Sequence, residues 1–378
     1  MSRKKLPIWK RLTIMIVSGF IGAATVTPLA IALKSSRSPI LEWLRDHNLE
    51  FVVIVPGLLL TYVACFVAAV AAHEIGHVVA GLHAGFRFAF LLFWPFQIRR
   101  RGKGGLSVKM LFRSGLGLGG LAGMTPGPGI DLRKGYLTLI AGGPLTSLTC
   151  GVFAAVAFVV LRTVVPLAAA IVCTFAAFNL VLFLISMTPS HAGGFLSDGA
   201  AIRLLRIGTP NQVDPYIDAM AISSAWSTGT RPAEWNAEAI ERLVAVSPDD
   251  PLSNRAPFFA FLHAADQGNL DEAGEWMNRL LYKIDDVPML LQPQYRLMNA
   301  WLQARTGDSV AARETFAKAR GGLIDKCEFA MVEAVILQAE GDYGTARERA
   351  KTALEAIETS MMPDAHSFAR HQCESILS

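Results

Sequence analysis

AVAAHEIGHVVAGLHAG, residues 69–85, is an apolar helical run interrupted by one cluster, His73-Glu74-x-x-His77. No charged residue lies between Phe51 and Ala72, and after Glu74 none appears before Arg87. A carboxylate and two imidazoles inside a run of this length are costly in lipid, so they mark a functional site. On a helix, positions i and i+4 share one face a turn apart, so His73 and His77 can point at one metal ion. Glu74, beside the first of them, can then move the protons of an attacking water.

The surroundings of that run decide the fold class. The chain has 378 residues, room for two domains, and a mean hydropathy of +0.38 that excludes an ordinary soluble protein. The apolar residues concentrate before about Leu205. Crossing a hydrocarbon core of ~30 Å takes ~20 helical residues, and four runs qualify: 13–33, 51–84, 136–161 and 166–187. The first follows Arg3, Lys4, Lys5, Lys10 and Arg11, as a secretory signal would, but its apolar run is too long for one. A retained anchor is expected. Lys and Arg number five in the N-terminal tail and nine over residues 87–134, against one near Arg162. Residues 34–50 hold three, balanced by three acids. The positive-inside rule then puts both termini and residues 87–134 in the cytoplasm. The expected setting is an integral protein of a bacterial cytoplasmic (inner) membrane. The five cysteines, at 65, 150, 173, 327 and 373, have no paired spacing and imply neither a disulfide framework nor a thiolate metal site.

Residues 88–98, FAFLLFWPFQI, are too short to span. They read as a re-entrant or interfacial β segment or as an amphipathic loop. Arg99, Arg100, Arg101 and Lys103 follow and suit anionic headgroups better than nucleic acid. Residues 102–129, with ten glycines, read as a flexible loop. The third run holds Gly142-Gly143-Pro144, small enough for close helix contact. After the fourth, Pro189 leads through a loop to Asp198-Gly199. Beyond Gly208, three segments beginning at Gly268, Gly307 and Gly341 share one pattern, with alanine five residues on. Their periods of 39 and 34 residues resemble tetratricopeptide repeats, whose concave surfaces take protein or peptide partners.

A hydrolytic zinc site needs three protein ligands and an open position. His83 stands ten residues after His73. On an unbroken helix it lies ~15 Å along the axis and cannot share the metal. Asp198 is the better third ligand, because the fourth span returns the chain to the level of His73. In order, His73–His77, Gly143-Pro144 and Pro189 through Asp198-Gly199 resemble the site-2 protease family of intramembrane zinc metalloproteases, over roughly residues 51–206. The resemblance implies one Zn2+ per chain on His73, His77 and Asp198, with Glu74 as general base and acid. It also implies a membrane-associated β segment, matching residues 88–98. Two positions depart from the family pattern: Ser147 and Ser186 stand where asparagines are usual, and the nearest asparagine is Asn179. Gly143, Pro144, Ser147, Asn179 and Ser186 are thus the candidates for substrate or transition-state support.

The expected fold is an α-helical polytopic membrane protein of about four transmembrane helices, with a possible β segment, plus a soluble all-α helical-repeat domain. Residues 1–206 form the membrane-embedded domain, 207–235 a linker, and 236–378 the repeats. The expected partners are a transmembrane protein substrate, the lipid bilayer and a protein or peptide on the repeats, with no nucleic acid. The expected function is intramembrane zinc endopeptidase near the cytoplasmic face. The other reading is a catalytically silent, membrane-anchored scaffold that recruits cytoplasmic partners.

Overall fold

A computed structural model describes residues 42–43, 46–47, 50–100, 105–110, 119–192, 195–247, 250–287, 291–321, 324–360 and 362–378. The expected first span, 13–33, lies outside them, as do Arg101 and Lys103. Three described helices are long and apolar enough to cross a membrane: Val55–His83 within α1 (Glu50–His83), α2 (Leu132–Leu161) and α3 (Pro166–Met187). Only 17%, 17% and 33% of their most apolar windows are buried, so most of that apolar surface faces outward. Leu59, Leu60, Phe153, Val160 and Leu184 are among the exposed side chains. An aqueous fold would hide such side chains, whereas a surface of this kind suits lipid.

Local chemistry fixes the helix ends. Pro166 opens α3, where a missing N–H costs least, while Pro56 lies inside α1, as its seventh residue. Gly85, at φ 91°, turns the chain out of α1. Asp131 caps α2 by accepting from the Lys134 N–H. Glycine sets the packing: a Cβ on Gly142 would strike the Gly76 carbonyl, so α1 and α2 cross backbone to backbone there.

Between α1 and α2 lies an antiparallel sheet of order β3-β2-β1-β4, comprising β1 (Arg87–Phe93), β2 (Phe96–Arg100), β3 (Leu106–Met110) and β4 (Gly120–Thr125). Residues 88–98 form most of its central hairpin and leave no free edge. The edges are β3 and β4, both inside the stretch read as a flexible loop. That reading is corrected: alternation in LSVKM and the small residues of GLAGMT extend the sheet. The hairpin tip, Trp94, shares an apolar crevice of about 480 Å³ with Phe66, Val70 and Ile185, so it sits at the depth of the spans. On β3, Leu106, Val108 and Met110 point one way and are exposed. Ser107, pointing the other way, is buried.

A two-stranded ribbon, β5 (His191–Ala192) with β6 (Phe195–Leu196), leads from α3 into α4 (Asp198–Ile207). The helices that follow are α5 (Pro210–Ser227), α6 (Ala237–Val244), α7 (Ala256–Gln267), α8 (Leu270–Tyr282), α9 (Gln292–Arg305), α10 (Ser309–Lys318), α11 (Lys326–Ala339), α12 (Tyr343–Thr359) and α13 (Ser367–Leu377). Helices α7 to α12 pack as successive pairs. Gly268, Gly307 and Gly341 take positive φ at the turns, and Asn269, Asp308 and Asp342 cap the second helix of each pair. Ala273, Ala312 and Ala346, five residues after each glycine, are fully buried.

The expected linker, 207–235, is mostly helix. α5 begins with a capping box of Thr209 and Gln212 and buries Val213, Tyr216, Ala219 and Ile222. Pro215 and the small size of Ala219 weaken that stripe in the sequence. The Ser224 hydroxyl donates to the Met124 carbonyl on β4 at 2.8 Å. One apolar core runs from Phe86, Met124 and Tyr136 through Leu205 and Tyr216 into the helix pairs. The two halves are therefore fused.

Candidate metal centre

His73 and His77 project from one face of α1, and Asp198 meets them from the start of α4. Nε2 of His73 lies 3.2 Å from Nε2 of His77 and 3.1 Å from Oδ2 of Asp198, and the third side of the triangle is 3.7 Å. Tetrahedral zinc with bonds of about 2.0–2.1 Å separates its ligand atoms by roughly 3.3 Å. The triangle has that size. The three are buried or half-buried, as a metal-binding group would be.

Both rings are held from the far side, through Nδ1. His77 Nδ1 is 3.0 Å from the Leu139 carbonyl, which only accepts, so Nδ1 carries the proton and Nε2 presents a lone pair. His73 Nδ1 is 2.9 Å from the Ser147 hydroxyl. With Nδ1 of His73 donating to that hydroxyl, two lone pairs and a carboxylate oxygen converge on one point, an arrangement that a cation would satisfy. The donor set of two imidazoles and a carboxylate suits zinc. Ser147 and the Leu139 carbonyl are the outer partners that orient such rings.

Glycine makes room for this geometry. A Cβ on Gly143 would run into Nε2 of His77 and lie 2.8 Å from Nε2 of His73, so α2 can cover the ligands only with glycine there. A Cβ on Gly199 would strike the Met187 carbonyl. The Asp-Gly pair therefore lets α4 start against the end of α3. Asp198 is the first helical residue, not the cap; Ser197 is the cap, accepting from the Ala200 N–H and tying back to Thr188 and Ser190. Its carboxylate is thus left for the histidines.

Glu74 is buried beside the triangle. Gly120 abuts its carboxylate, where any side chain would collide, and the Ala122 backbone N–H is directed at it. β4 therefore forms one wall of the site. The 22 residues of α3 rise ~33 Å, about one hydrocarbon core. Asp198 stands just past the end of α3, so the group lies at that end of the helix, on the side of the sheet and helix pairs.

The other expected residues separate clearly. His83 is exposed at the end of α1 and outside the group. Pro144 is buried beside Gly143. Asn179 donates to the Phe175 carbonyl and Ser186 to the Phe183 carbonyl, each within its own helix; the Asn179 Oδ1 is buried with no partner. Neither is hydrogen-bonded to the ligands. Sequence reasoning missed Gly120, Ala122, Leu139 and Ser197. Only the glycine pair at 119–120 carried a signal, and it was read as flexibility.

A second group, Asp325, Cys327 and His366, also lies close enough to hold a metal ion. Two of its members already have partners: His366 meets Asp325 at 3.0 Å, and Asp325 caps α11 in a capping box with Glu328. Burial works against the charged form of His366, but the bond to Asp325 and the charges of Glu328 and Asp325 outweigh it and raise its pKa.

No protein-family model, curated protein or solved structure matches the chain.

Proposed function

We propose that the chain is a zinc-dependent intramembrane endopeptidase, of the site-2 protease kind, that cleaves transmembrane or membrane-inserted proteins near the cytoplasmic face. The observation that carries this reading is the triangle of His73, His77 and Asp198, with both Nδ1 atoms tied back and Glu74 alongside. Bound there, zinc supplies Lewis acidity, polarising the scissile carbonyl and acidifying a water. His73, His77 and Asp198 hold it. Glu74 takes the proton from the attacking water at its carboxylate and returns it to the leaving amine. The Ala122 N–H holds that carboxylate in place.

A helical peptide bond is shielded by its own hydrogen bonds, so the substrate must unwind before hydrolysis. β4 is the sheet edge nearest Glu74, and strand addition there would hold an extended substrate at the site. The crevice around Trp94 and Phe66 supports lateral entry from lipid. The helix pairs, with their regular Gly-then-Ala spacing, support the tetratricopeptide-like reading and a role in choosing substrates or partners.

The test uses full-length protein in liposomes with a model transmembrane substrate. Glu74→Gln should lower cleavage by about 10²–10⁴-fold while bound zinc stays near one per chain. Full cleavage by that variant rejects the mechanism. Wild-type protein without zinc would favour the silent scaffold.

A further inference from the structure

Arg87, Arg99 and Arg100 line one cleft of about 290 Å³ between the sheet and the helix pairs. Its far wall is Thr228, at the end of α5, and Asp364. Elsewhere, arginines of the helical half meet carboxylates: Arg231 with Asp266, Arg242 with Asp218, Arg313 with Glu340, Arg349 with Glu333 and Arg370 with Glu358. Among the described residues, none of the three cleft arginines has such a partner. The Nε of Arg99 is shielded from solvent and has no hydrogen-bond partner. A buried donor left open in this way calls for a group from outside the chain.

The depth of the cleft says where that group comes from. The 29 and 30 residues of the first two spans rise about 45 Å, enough for the whole bilayer with its headgroups. Arg87 follows directly after α1, and Thr125, also on the cleft, precedes α2. Arg99 and Arg100 return from the deep hairpin tip to the same level, since Arg99 pairs with Phe90 and Phe93 with Phe96. Three arginines and one carboxylate, Asp364, line the cleft, which leaves it net positive at headgroup depth.

We propose that this cleft binds the phosphate group of an anionic phospholipid, held between the sheet and the helical half. Guanidinium forks match phosphate oxygens in pairs, which a lysine cannot do. Basic pockets beside membrane spans are the sites where such headgroups lodge. The inference is independent of the metal centre and its chemistry.

Phosphatidylglycerol and phosphatidylcholine are titrated against full-length protein in neutral detergent, read by native mass spectrometry, with inorganic phosphate titrated by calorimetry. The expected result is retention of phosphatidylglycerol over phosphatidylcholine. Replacing all three arginines by alanine should weaken it roughly 100-fold, and Arg99→Lys, which keeps the charge and loses the fork, roughly tenfold. Arg162→Ala, at the opposite end of α2, should change nothing. Where the triple variant does not fold, Arg99→Lys decides. Phosphatidylglycerol affinity unchanged in Arg99→Lys and in a folded triple variant overturns the proposal, as does failure of the wild type to bind it. Inorganic phosphate bound as tightly as the lipid, with the same arginine dependence, overturns the lipid as the source.

Discussion

At the scale of single residues, the centre depends on groups that never touch a metal. Ser147 holds His73 by its outer nitrogen, so Ser147→Ala should weaken zinc binding about 10–100-fold without unfolding the chain. Competition against a chelator of known affinity measures this, and unchanged affinity would remove Ser147 from the site. Asp198→Ala should abolish stoichiometric zinc, whereas His83→Ala should leave it intact. How much of this could be read beforehand varied with distance along the chain. His73, Glu74 and His77 were legible because helix periodicity alone aligns them. Asp198 needed the spans to be counted and oriented, since 124 residues separate it from His73. Ser147 was legible only as a departure from the expected asparagine, and its use as a ring anchor depends on how α2 crosses α1.

At the scale of elements, β4 links the sheet to the chemistry. Its Ala122 N–H is directed at Glu74, and proline at that position, having no N–H, removes the contact. Ala122→Pro should therefore lower cleavage roughly tenfold or more, with zinc content and circular dichroism unchanged. Equal loss of zinc would show that the strand supports the ligands instead. The sheet was half legible. Residues 88–98 carry aromatic and branched side chains that favour strands, while GLAGMT has almost none, and only packing against Glu74 and Phe90 explains its glycines. α5 escaped notice for a similar reason: its buried stripe depends on Tyr216 and Ala219 around Pro215, not on a run of large apolar residues.

At the scale of the whole molecule, the helical half responds to pH through two buried groups. His366 has a raised pKa in the fold, so its charged form stabilises the domain below the ordinary histidine value, and that contribution is lost as pH rises through the folded pKa. Burial raises the pKa of Glu328 as well, and ionising it at higher pH costs stability in the same direction. Thermal unfolding of the helical half should thus begin at lower temperature near pH 8.5 than near pH 6, and His366→Gln should flatten the trend. A midpoint that rises with pH in this window would contradict the assignment.

The Ser224–Met124 bond has a mechanical meaning. α5 grips the same strand that faces Glu74, and the grip and the contact are two residues apart, about 7 Å of extended chain. Under the proposed mechanism, a partner docked on the helix pairs would pull on a short, stiff handle that ends beside Glu74. Ser224→Ala should leave zinc and basal cleavage in place and blunt any change in cleavage rate that a docked partner produces.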